Sequence, residues 1–67
     1  MTILLTKKQV AARVGLHAEH VMRMAREGRF PKPVKLGPKP GSAARFVEDE
    51  VEAWLRHRMA ERNRASA

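Results

Sequence analysis

The spacing of apolar positions changes twice along the chain, and each change marks a new kind of element. Across residues 6–15, Val10, Ala11 and Val14 recur at helical intervals. Thr6 and Gln9 have the spacing of a capping box, and Leu5 and Val10 that of a hydrophobic staple. Gly15 predicts the stop, because glycine enters left-handed backbone angles without strain. A second helix is predicted over residues 18–27, with Gly28 as its terminator. Val21, Met24 and Ala25 form its inward stripe, while Glu19, Arg23 and Arg26 cluster on the opposite face with Met22 and His20 flanking them.

The period then falls to two. Phe30-Pro31-Lys32-Pro33 cannot be helical, since each proline pushes its predecessor toward extended angles. Val34-Lys35-Leu36 and Arg45-Phe46-Val47 both alternate apolar with basic, the pattern of a half-buried strand. Residues 37–44 between them are rich in turn formers, so a hairpin with a long basic loop is expected. Helical spacing returns near Glu48. Glu48, Asp49 and Glu50 occupy the first turn and four arginines lie downstream, as the helix dipole favours. Glu52 and Arg56 are placed to pair one turn apart. Val51, Trp54, Leu55 and Met59 make the inward stripe, with Trp54 as a core anchor. Arg58 and Arg62 fall on that same face. The helix is therefore expected to leave the body near Met59, with the tail, about residues 60–67, solvated or frayed.

Between Val10 and Met24 the order is specific. Val10, Ala11 and Val14 belong to one helix, Gly15 and Leu16 to the turn, and Val21 and Met24 to the next helix. Two helices crossing steeply over a short turn need these positions buried, with a small residue at Ala11 and glycine where the chain reverses. Short helical hairpins in enzymes share this spacing. Followed by a basic hairpin and a third helix, it predicts an α+β fold, mainly α: a winged helix-turn-helix with a two-stranded wing and room for a short N-terminal strand. The 67 residues make one domain, with an ordered core over about residues 4–60.

Composition narrows the chemistry. There is no cysteine to form a disulfide or a thiolate metal site. The longest apolar run, Ile3-Leu4-Leu5, is far too short for a signal peptide or a membrane span, so a cytoplasmic, nucleoid-associated protein without membrane contact is expected. Charge is unevenly placed. Residues 1–47 carry ten lysines and arginines against two acids, whereas residues 48–67 carry four against five. A surplus confined to one part of so small a domain suggests an electropositive face for a polyanion; a generally basic, soluble surface is the plainer alternative.

The candidate contacts follow from that face. On the second helix they are His17, Glu19, His20, Met22, Arg23 and Arg26, with Arg23 placed for a base contact. Glu19 is suited either to a cytosine amine or to the helix N-terminus alone, and His17 either to a contact or to capping. Lys35, Lys39, Ser42 and Arg45 are the wing candidates. Lys7 and Lys8 sit where the helix dipole disfavours cations; phosphate contact explains them, and so does simple solvation. No catalytic set emerges. The acids of the third helix serve its dipole, and Ser42 has no neighbouring base. His17 and His20 are spaced to share a metal, but no further ligand joins them, so no metal or cofactor is expected.

One resemblance covers roughly residues 4–60. Leu4-Leu5-Thr6 leads into Val10-Ala11 and Val14-Gly15-Leu16. Arg26-Glu27-Gly28-Arg29-Phe30-Pro31-Lys32-Pro33-Val34-Lys35-Leu36-Gly37 follows, then Arg45-Phe46 and Glu50-Val51-Glu52-Ala53-Trp54-Leu55. These segments resemble the AlpA-like phage regulatory proteins, relatives of small excisionases in the MerR-like winged-helix group. The resemblance implies a DNA-binding transcriptional regulator from a prophage or other mobile element. Its partners would be duplex DNA, further copies of itself on DNA, and an integrase. Two departures stand out: His17-Ala18-Glu19-His20 replaces a Ser/Thr-rich helix start, and Phe46 stands where many relatives carry tryptophan. An excisionase that bends DNA for a recombinase is the alternative within DNA binding. A protein-interaction module for an acidic partner is the alternative outside it.

Overall fold

In the computed structural model, which describes residues 1–65, the elements follow the order β1 (Leu4–Leu5), α1 (Lys7–Val14), α2 (Ala18–Arg26), β2 (Val34–Lys35), β3 (Ala44–Val47) and α3 (Glu48–Ala65). Local chemistry accounts for the first turn. The Gln9 amide donates to Thr6 Oγ1 at 3.1 Å, and the Thr6 amide donates to Gln9 Oε1 at 2.8 Å, which satisfies two orphan donors at once. Leu5 and Val10, the staple pair, are both buried. Gly15 closes α1 at φ 72°, and the Leu16 amide reaches back to the Ala11 carbonyl at 3.0 Å. A non-glycine residue would be strained there. His17 occupies the N-cap position of α2 but makes no side-chain capping bond.

The three strands form one antiparallel sheet in the order β1-β3-β2, with Leu5 opposite Phe46 and Val34 opposite Arg45. This register corrects one expectation. Val34 and Leu36 were expected to be half-buried, yet they are 47% and 54% exposed. Cross-strand partners share a face and successive residues alternate. Val34 therefore shares the face of Arg45, away from the inward Phe46. The hairpin projects from the body, and its loop is braced by the Lys39 amide donating to Ser42 Oγ at 3.2 Å.

Leu5, Val10, Ala11, Val21, Met24, Ala25, Phe30, Phe46 and Val51 form the core. Phe30 packs edge-to-face on Phe46 and on Trp54, with ring centroids 5.6 and 4.8 Å apart. Trp54 is half-buried rather than enclosed, and its indole N–H donates to the Arg29 carbonyl at 2.9 Å. That bond ties α3 to the segment between α2 and the hairpin. Leu16, expected inside the turn, is 37% exposed.

One further expectation changes at α3. Glu52 pairs with Arg13 at 3.2 Å instead of with Arg56, and Glu48 joins the same guanidinium at 2.9 Å. A fork reaching from α1 meets two carboxylates one turn apart, and this geometry outcompetes a single pair along the helix. Near residue 60, where the tail is expected to be solvated or frayed, α3 remains helical through Ala65 with a solvated surface; positions 66 and 67 of that tail lie outside the described residues. From Met59 onward its side chains are exposed apart from the half-buried Glu61. Arg58, on the inward stripe, lies 6.0 Å from the Trp54 ring centroid.

Candidate nucleic-acid interface

The two amphipathic faces of α2 are cleanly divided. Val21, Met24 and Ala25 are buried, while Glu19, Arg23 and Arg26 are exposed. His20 and Met22 are half-buried at the two margins of the exposed face. Arg23 Nη2 lies 3.4 Å from His20 Nδ1, which holds the guanidinium along the helix. Glu19 lies 4.0 Å from Lys7 of α1. With both side chains largely solvated, that pair contributes little to stability.

Two open clefts flank Met22. The first is lined by Thr6, Lys7, Lys8, Met22, Pro33, Ser42, Ala44, Arg45 and Phe46, so the start of α1 faces the base of the hairpin across it. The second is lined by Met22, Ala25, Arg26, Lys32, Pro33 and Lys35, which brings Arg26 of α2 beside Lys35 of β2. Their volumes are about 370 and 510 Å³. Met22 and Pro33 line both. No carboxylate lines either cleft, so a polyanion entering them meets cations, apolar surface and, in the first cleft, the hydroxyl-bearing Thr6 and Ser42.

Each candidate from the sequence has a definite place in this arrangement. Lys7, Lys8, Arg26, Lys35 and Arg45 surround the clefts. His17, Glu19, His20 and Arg23 lie outside them on α2, and Lys39 is exposed in the hairpin loop. Ser42 Oγ is engaged by the loop's own Lys39 amide, which gives it a bracing role. Lys35 Nζ donates to the Pro40 carbonyl at 3.3 Å, and Arg45 Nη1 to the Ala44 carbonyl at 2.9 Å. Met22 is packed against the core on one side and forms cleft floor on the other. Lys32 and Pro33 were overlooked. The Pro-Lys-Pro sequence signals extended backbone, and only tertiary packing brings it against α2.

Away from the clefts, several charges pair with one another. Arg29 donates to Glu27 Oε1 at 2.6 and 3.1 Å. This hydrogen bond holds the Glu27 carboxyl below its ordinary range, with the charges of Arg29, Arg23 and Arg26 acting in the same direction. Glu48 and Glu52 of α3 are both bound to Arg13. Among the described residues no cluster of three His, Cys, Asp or Glu side chains could hold a metal, and no helix is long and apolar enough to cross a membrane.

Residues 4–59 match the model of a family described as a helix-turn-helix domain. No curated protein and no solved structure matches the chain.

Proposed function

The chain belongs to the helix-turn-helix domain family, and on that premise we propose that it is a sequence-specific transcriptional regulator of a prophage or mobile element. In this reading α2 enters the major groove of duplex DNA and the β2–β3 hairpin rests on the backbone or in the minor groove. The observation that carries it is the pair of carboxylate-free clefts, in which cations from α1, α2 and the hairpin converge on one side of the molecule. Helix and hairpin can thus engage the same duplex together.

The roles divide by position. Arg23 is exposed at the middle of the outward face and is the base-reading residue, a bidentate guanine contact being its natural use. His17, Glu19 and His20 border it and face the same groove. Lys7, Lys8, Arg26, Lys32, Lys35 and Arg45 take phosphates, which orient the protein without reading sequence. Lys39 extends this contact at the hairpin loop. The protein performs no chemistry on DNA and needs no cofactor. A single module of this size buries only about 600–1,000 Å² on DNA, so further copies bind alongside it, with the exposed end of α3 as the contact surface. An integrase acting on the same DNA is a further partner.

A salt titration of duplex binding tests the reading. With about seven phosphates contacted, log K falls against log salt with a slope of about −6. A flat response removes the polyanion from the proposal. Footprinting then reads the role: one short protected site supports the regulator, and an extended phased array assigns the chain to excision instead.

A further inference from the structure

Met22 has no charge and no hydrogen-bonding role, yet it stands at the centre of the basic surface. It lies on α2 at the margin nearest the hairpin, half-buried against the core, and lines both clefts together with Pro33. Lys7 and Lys8 lie on one side of this apolar floor, and Arg26 and Lys32 on the other. A duplex held by those cations presses its major-groove edge toward the α2 face that carries Met22. The C5 methyl of thymine is the one apolar group that projects into that groove; cytosine offers only a hydrogen at the same position, and the remaining distinguishing features are hydrogen-bond donors or acceptors. A polar edge placed over Met22 and Pro33 would lose its water without gaining a partner.

We propose that Met22, backed by Pro33, reads a thymine methyl group and so fixes one position of the target sequence. The proposal rests on α2 entering the major groove. It adds a contact that specifies sequence through apolar surface, beside the polar contact of Arg23. Flexible and polarizable, a methionine thioether can seat against the methyl without a fixed ring geometry. The discrimination is therefore modest, set by burial of one methyl group.

The test removes the methyl while leaving every base-pairing group in place. A duplex recovered by selection from a random pool is rebuilt with each thymine replaced in turn by deoxyuridine, and binding is measured for the wild type and for Met22→Ala. The expected result is one or two positions at which the wild type loses about fourfold in affinity, the equivalent of one buried methyl. In Met22→Ala the same replacements should have no effect. Met22→Gln, which keeps the length of the side chain, provides a second readout should the alanine variant fail to fold. The proposal is overturned if no deoxyuridine weakens wild-type binding, or if the loss persists in the folded variants. Selection that recovers no duplex defeats the proposed function itself, and this contact with it. Binding that is insensitive to every replacement defeats the contact alone.

Discussion

The fork of Arg13 between Glu48 and Glu52 gives the sharpest test of how α1 is held to α3. Replacing Arg13 with methionine keeps most of the aliphatic stem and removes only the charge and its hydrogen bonds. The side chains of Arg13, Glu48 and Glu52 are 41%, 22% and 44% exposed. Both pairs are therefore screened by solvent, the Glu48 pair least. Exposed ion pairs are worth about 0.2–1 kcal/mol each, and sharing one guanidinium makes the two interdependent. The expected loss is about 1 kcal/mol, lying mostly with Glu48. For a domain this small, that lowers the melting temperature by about 4–8 °C. Urea denaturation of the wild type, Arg13→Met, Glu48→Gln and the double variant isolates the coupling energy. Raising the salt to about 1 M, where the Debye length is about 3 Å, should shrink it. Arg56→Ala, which removes the partner that the sequence pattern assigned to Glu52, should change stability little. A coupling energy indistinguishable from zero, or an Arg56→Ala loss equal to that of Arg13→Met, would refute the fork.

Three other outcomes follow from the structure. Phe46 is 1% exposed, and Phe46→Ala should cost about 3–5 kcal/mol, comparable to the whole net stability expected of a core this small; circular dichroism should show an unfolded chain, whereas Phe46→Leu stays folded. Arg23→Ala should weaken the selected site more than random duplex, while Lys32→Ala and Lys39→Ala should weaken both about equally, with each lysine lowering the salt slope by about one; equal losses at both kinds of site for Arg23→Ala would take it out of base reading. Glu27 titrates lower in the folded protein than in the unfolded chain, so its contribution is present at neutral pH and fades as pH falls through the lowered folded-state value. Urea midpoints of the wild type and Glu27→Gln should therefore converge in strong acid, and a gap that stays constant from neutral to strongly acidic pH would show that the Arg29 pair is not its source.

What the sequence settles by itself is everything decided within a few residues. Thr6 with Gln9, Gly15 and Gly28 set where α1 begins and where both helices stop, because capping and left-handed turns involve only neighbouring backbone. The division of α2 into an inward Val21-Met24-Ala25 stripe and an outward charged face follows from helical period alone. Tertiary structure decides what depends on contacts between distant residues. Register puts Val34 on the outer face with Arg45, although alternation suggested burial. Arg13 takes Glu52 from Arg56 because its guanidinium reaches from α1 to the first turns of α3, a fact no spacing within α3 contains. Lys32 and Pro33 reach the basic surface only because the extended segment folds back over α2, which turns Met22 from a flanking residue into the floor of two clefts. Local propensity specifies elements. The site exists where their side chains meet, and those meetings are fixed by packing around Phe30, Phe46 and Val51.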